Sequence, residues 1–234
     1  MREHNHTYKQ FDIELGSLKD QVLAMGGLVE QHIAEAMRAL VDRDVERAQR
    51  VIDGDRAVNK MEMAIDELCV RILALRQPAG SDLRFVASAL KIVTDLERIG
   101  DLTVNMAERA LFLCQEPPMR AVVDLPRMAA AAQKMLRDAL DSFVTGDVVK
   151  AETVLRADEQ VDRWLVEVFE DLRAEMRRDP SVVDRGISTI FFAKHLERLA
   201  DHTTNVAEMV VFHVRGTDER HRFSRETDRP NVKM

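Results

Sequence analysis

Asp95-Leu-Glu-Arg-Ile-Gly-Asp-Leu-Thr-Val-Asn-Met-Ala-Glu108 returns a hundred residues later as His195-Leu-Glu-Arg-Leu-Ala-Asp-His-Thr-Thr-Asn-Val-Ala-Glu208. Eight of the fourteen positions are identical, and they include every carboxylate from Glu97 and Glu197 onward. The chain is a duplicated unit with a repeated acidic pattern. At 100° per residue, Leu83, Val86, Leu90, Val93, Val104 and Leu111 all fall within about 40° of Glu97, as do Asp101 and Glu108. The acids therefore interrupt the middle of an apolar stripe, where an amphipathic helix would continue with Leu, Ile or Val. Val183, Ile190, Ala193, Thr204 and Val211 flank Glu197, Asp201 and Glu208 in the same way.

An ionised carboxylate inside a helix bundle costs several kcal/mol, in order of magnitude, unless it is paired or coordinated. Arginine or lysine from a neighbouring helix, or water at a bundle end, would satisfy a single such acid. Arg98 and Arg198 lie about 100° round the helix from the adjacent glutamate, so the partner cation is expected from elsewhere. Repetition of the pattern in both halves favours coordination, and a bound metal is the simplest such cation.

Outward from the repeat, the periodicity predicts an all-α protein of six long helices arranged as two tandem three-helix bundles. Phe11, Leu15, Leu18, Val22, Met25, Val29, Ile33, Ala36 and Leu40 are spaced three and four apart and mark the first helix, from about Phe11 to Val41. The second runs from about Asp44 to Arg76, and the third from about Asp82 to Gln115 with Ser81 as its cap. Pro117-Pro118 is the strongest boundary, dividing residues 1–116 from 117–216. The remaining helices are expected over Leu125–Val144, Asp147–Arg178 and Ser181–Arg215, followed by a mobile polar tail over 217–234. Short turns make successive helices antiparallel neighbours.

Composition agrees with this architecture. The chain has 234 residues, 46% of them hydrophobic, with only nine Gly, six Pro, one Trp and one Tyr against twelve Met. Such methionine content suggests a conformable surface. A formal charge of −7, with no basic block, argues against nucleic acid as a partner. No apolar run is long enough to span a bilayer and the N-terminus is not signal-like, so a soluble, cytoplasmic protein is expected. Cys69 sits on an apolar face and reads as a buried thiol, which fits a reducing compartment.

The duplication extends to the middle helices. Val45 to Asn59 aligns with Val148 to Asp162 at an offset of 103, pairing Asp55 and Asn59 with Asp158 and Asp162. Each half thus offers Glu97/Asp101 or Glu197/Asp201 from its last helix, and a second polar pair from its middle helix. Neighbouring helices about 8–10 Å apart let such arms meet through an ion. Glu62 and Asp66 extend the first acidic stripe, whereas Leu165 and Phe169 replace them in the second. His195 and His202 point about 160° and 140° away from Glu197, and His32 lies on the first helix. An all-oxygen set, with Asn105 and Asn205 as further donors, suits Mg, Mn or Fe and suits Zn less well.

Two copies of Leu-Glu-Arg-(Ile/Leu)-(Gly/Ala)-Asp, each on the last helix of a three-helix unit, resemble the signature of the PhoU family of phosphate-transport accessory regulators. Val58 to Pro78, Ser81-Asp-Leu-Arg84 and Asn205-Val-Ala-Glu208 are also similar to it, and the likeness covers about Tyr8 to Arg215. The resemblance implies a cytoplasmic, commonly homodimeric, non-enzymatic regulator binding Fe or Zn clusters, or Mg or Mn, through Glu-x-x-x-Asp motifs. By position these are Glu97 with Asp101 and Glu197 with Asp201, faced by Asp55, Asn59, Asp158 and Asp162. It also implies that the protein links the ATPase subunit of a phosphate ABC transporter to a sensor histidine kinase. The phosphate-starvation response would be repressed when phosphate is plentiful, and membrane association would come through partners only. Gly100 becomes Ala200 in the second copy, a departure bearing on helix approach. Two other classes stay open: a metal-dependent phosphatase or hydrolase, for which no distinct base or nucleophile is evident, and a helical adaptor whose acids pair with arginines.

Overall fold

A computed structural model describes residues 2–119 and 124–217, with side chains from Lys9 onward. The polar tail expected over 217–234 lies, beyond its first residue, outside the described residues. Six α-helices account for nearly everything else: α1 (Arg2–Asp42), α2 (Val45–Arg76), α3 (Gly80–Gln115), α4 (Leu125–Thr145), α5 (Val148–Arg178) and α6 (Val183–Arg215). A 3₁₀ turn, Pro180–Val182, precedes α6. Among the described residues, no helix is long and apolar enough to cross a membrane.

The duplication reaches the caps. Asp44 accepts a hydrogen bond from the Arg47 amide at 2.9 Å, and Asp147 accepts one from the Lys150 amide at 3.0 Å. Each caps the middle helix of its half by satisfying an amide that the helix leaves orphaned. The residue before each cap is left-handed: Gly146 at φ 68° needs no Cβ, whereas Arg43 at φ 56° carries one. Arg43 donates to the Cys114 carbonyl at 2.7 Å and also to that of Glu116, tying this corner to the end of α3. Two expected starts differ. Helix α1 begins at Arg2, because apolar spacing marks only the stretch that carries apolar residues and the mostly polar residues before Phe11 belong to the same helix. Helix α3 begins at Gly80 with Ala79 at the cap and no side-chain cap bond, so Ser81 is inside the helix.

Each half is a three-helix bundle, and the two share one core. Helices α3 and α6 form its centre, packed against each other, with α4 also packing on α1. Moving up α3 means moving down α6. Arg84 donates to the His213 carbonyl at 3.1 Å, Ser88 to the Met209 carbonyl at 3.4 Å, and Asp95 meets His202 at 2.9 Å. The two helices are therefore antiparallel, and the halves are related by an approximate two-fold passing near Arg98 and Arg198. Phe85 of the first half stacks on Phe143 of the second with centroids 5.0 Å apart. Methionine is largely interior: Met25, Met106 and Met128 are fully buried, which corrects the expected methionine-rich surface. Cys69 is also buried, and desolvation pushes its thiol up to about 12. That group is inert at neutral pH.

Candidate functional site

The central position of α3 moves its acids. Because α3 touches α1, α2 and α6, its buried arc is wide and centres on Leu96, Ile99, Gly100, Thr103 and Ala107. Glu97 and Asp101 sit at the edge of that arc, with side chains 17% and 43% exposed, rather than in the middle of the apolar stripe. Leu83, at the stripe's end, is itself exposed. In the second half Glu197 is deeper, its side chain 11% exposed.

Across from them on α2, the Asn59 amide donates to Asp55 Oδ2 at 2.9 Å. That bond orients the pair and leaves Asp55 Oδ1 and Asn59 Oδ1 buried without a hydrogen-bond partner. Gly100 permits the close approach: a Cβ there would stand 3.2 Å from Val58 Cγ1 and 3.7 Å from Asp55 Oδ1. Glu97 is held above the ordinary carboxylate range, first by desolvation and then by the charges of Asp101, Glu62 and Asp55. Glu62 is raised by burial and by Asp66 and Asp101. The α2–α3 face therefore gathers Asp55, Asn59, Glu62, Glu97 and Asp101. His32, placed by sequence away from the acids, lies against Gly54 and feels the charge of Asp55.

The second half repeats the arrangement with fewer acids. Burial raises Glu197, with Asp201 and Asp162 adding to the effect, so these three converge across α5 and α6. Asp158 lies half-buried one turn before Asp162. Asn105 is half-buried on α3. Asn205 is turned away from Glu197, donating instead to Asp95 Oδ1 at 3.0 Å across the α3–α6 seam.

Arg98 and Lys194 already supply local positive charge. Arg98 Nε lies 3.5 Å from Glu97 Oε2 and its Nη1 3.3 Å from Asp101 Oδ2. Lys194 Nζ contacts both Glu197 oxygens at 2.7 Å. The expectation that Arg98 could not pair within its own helix is thus corrected: its long flexible arm reaches round the 100° that separates the Cβ directions. As the side chains stand, no three of His, Cys, Asp or Glu among the described residues are close enough to hold an ion. The donor chemistry nevertheless fits a hard cation. Two bare, buried oxygens face mutually repelling carboxylates, and a cation would relieve both the repulsion and the unmet acceptors.

A carboxylate raised by burial and by like charges costs nothing below its ordinary value of 4.5 and its full amount above the raised value. In chelator, Glu97→Gln should therefore stabilise the chain at pH 7, with the gain disappearing near pH 4. Urea unfolding at the two pH values measures it, and destabilisation at pH 7 contradicts the repulsion.

Asp95 and His202 were not candidates in the sequence, since their meeting depends on the α3–α6 register. They adjoin an open cleft of about 590 Å³ lined by Asp66, Asp95, Asn205 and Glu208.

A family model described as PhoU domain matches residues 22–110 and again 125–210, one match in each half. The phosphate-specific transport system accessory protein PhoU homolog of Pseudomonas aeruginosa is 44% identical over 218 residues, 93% of this chain and 90% of that protein. The phosphate-specific transport system accessory protein PhoU of Escherichia coli is 37% identical over 226 residues, 97% of this chain and 94% of that protein. The crystal structure of PhoU from Pseudomonas aeruginosa superposes with a TM-score of 0.85 at 44% identity, covering 88% of this chain and all (100%) of that one. The phosphate transport system regulatory protein PhoU from Streptococcus pneumoniae gives 0.83 at 33% identity, covering 88% and 98%.

Proposed function

This chain belongs to the PhoU family, and we propose on that footing that it is an accessory regulator of phosphate transport, coupling a phosphate ABC transporter to a sensor histidine kinase. The observation that carries the reading is the 44% identity, spanning both repeats, to a relative named for the phosphate-specific transport system. That relative is named for an accessory role and not for a reaction, which supports a regulator over the hydrolase alternative.

In this reading the protein works in the cytoplasm as a homodimer. It contacts the transporter's ATPase subunit and the kinase, and it reaches the membrane only through them. Phosphate sufficiency is passed on as repression of the starvation response. Metal ions strengthen the device: Asp55, Asn59, Glu97 and Asp101 hold one ion or cluster, and Asp158, Asp162, Glu197 and Asp201 the other. Such a cation would supply charge neutralisation between helices that otherwise repel. Oxygen donors favour Mg, Mn or Fe, with His32 beside the first group as a nitrogen donor that would widen the choice toward Zn.

A strain lacking the protein is expected to express phosphate-starvation genes constitutively in high phosphate, read by a reporter fusion. Normal repression in that strain would overturn the proposal.

A further inference from the structure

The duplication gives the α3–α6 seam two equivalent ends, and they have diverged in charge. The open cleft of about 590 Å³ lies at one of them, between α2, α3 and α6. Asp66, Asp95 and Glu208 line it against a single ammonium, Lys91, while Leu90 and Met209 add apolar surface. At the offsets of the repeat, Asp66, Lys91 and Asp95 become Phe169, Phe191 and His195, and Met209 becomes Arg109. Phe169 and Phe191 are 42% and 49% exposed, so the other end presents aromatic rings where this one presents carboxylates.

Those carboxylates are short of donors. Asp95 is bonded to His202 at 2.9 Å and to Asn205 at 3.0 Å, but both bonds end on Oδ1, which leaves Oδ2 for another donor. Asp66 makes no hydrogen bond or ion pair with any described residue. The cleft therefore suits a cation that carries several N–H groups beside apolar carbon, which is the chemistry of an arginine-bearing peptide.

The chain carries such a segment just past α6. Arg220-His-Arg-Phe-Ser-Arg225 holds three arginines, one phenylalanine and no acid in a protein of net charge −7. Gly216, left-handed at φ 73°, ends α6 beside the first turn of α3, where an added Cβ would stand 3.4 Å from Arg84 Cζ. From there Glu208 lies eight residues back along α6, about 12 Å at 1.5 Å per residue. Arg222 lies six residues on, a reach of about 20 Å in extended chain. The segment reaches the cleft with slack if it folds back. Phe191, at the aromatic end, is 25 residues from Gly216 along α6, about 38 Å and beyond that reach. Tethering adds to the match, because a short linker holds a ligand at about millimolar effective concentration, where ion pairs too weak for free association suffice.

We propose that residues 220–225 dock in the cleft between α2, α3 and α6 of the same chain, their arginines against Asp66, Asp95 and Glu208 and Phe223 against Leu90 and Met209. The docked segment closes the cleft to other cationic groups. This contact lies outside both proposed metal sites and does not depend on the transport reading.

Zero-length coupling of amines to carboxylates by a carbodiimide, on the full-length Arg222→Lys variant kept in chelator, tests it. Peptide mass spectrometry should find position 222 joined to Asp66, Asp95 or Glu208 in protein that still runs as a single chain on a denaturing gel. The yield should collapse in about 1 M salt, where the Debye length is about 3 Å. A second measurement leaves the segment unaltered: trypsin cleavage after Arg222 and Arg225 should speed up about two- to fivefold in Asp66→Asn, the effect of one exposed ion pair. Glu159→Gln, at a side chain 53% exposed on α5, should leave it unchanged. Coupling of position 222 only to carboxylates outside the cleft, no coupling at all, or cleavage unaltered in Asp66→Asn would each overturn the proposal. Coupling only between chains would overturn it too, assigning the cleft to the segment of a second copy.

Discussion

Phe143→Ala is expected to cost about 3–5 kcal/mol, the largest loss from any single truncation considered for this chain. Phe143 is 1% exposed, and its ring stacks on Phe85 from the other half. Truncation removes the buried aromatic area and leaves a cavity between α3 and α4 that rigid helices close only in part. Against a total of roughly 5–15 kcal/mol for a typical domain, such a loss leaves a substantial unfolded fraction. Both halves should lose stability in one transition, because the core they share is continuous. Chemical unfolding followed by circular dichroism measures this, with Val149→Ala, at a residue 71% exposed, as the control. A shift under about 1 kcal/mol, or a second transition unaffected by the change, would show that the halves stand alone.

If the two proposed sites bind metal, alanine at both Glu97 and Asp101 should empty the first and leave the second loaded. The reciprocal pair at Glu197 and Asp201 should do the opposite. Each change deletes two carboxylates from one side of an inter-helix clamp, and Asp55 with Asn59 cannot close around a hard cation alone. Metal per chain, measured by mass spectrometry on protein prepared without chelator, should fall by one centre's share. Unchanged content removes these residues from the assignment. Arg98→Gln gives a sharper form of the same test. Arg98 neutralises Glu97 and Asp101 at 3.5 and 3.3 Å, so a metal must displace it. Removing it should tighten the first centre several-fold, since an exposed ion pair is worth about 0–1 kcal/mol.

Much of this architecture was legible in the chain itself. Heptad-like spacing from Phe11 to Leu40, the short turns and the Pro117-Pro118 break locate the helices to within a few residues, the start of α1 excepted, because each reports a local cause. Helix phase and the repeat alignment also pointed to Glu97, Asp101 and Asp55 as neighbours across α2 and α3, where the charges of Asp101 and Asp55 act on Glu97. Phase failed on depth, because it gives direction but not the width of the buried arc, and α3 is covered on three sides. Arg98 escaped the same reasoning because Cβ direction says nothing about where a long arm ends. Contacts between halves were out of reach altogether. Asp95 meets His202, and Arg109 approaches His195, only through an antiparallel register that no local pattern encodes.

That register also sets an order of events during synthesis. Within each half, short turns bring neighbouring helices together early, but the seam bonds join residues 107 to 129 positions apart. N-terminal segments emerge from the ribosome first, so α3 is complete well before α6 exists to cover it. For that interval the side of α3 destined for α6 is unsealed, and holding chaperones are expected to bind the nascent first half. A ribosome stalled before Val183 should present that surface persistently, whereas release of the full chain lets the last helix withdraw it.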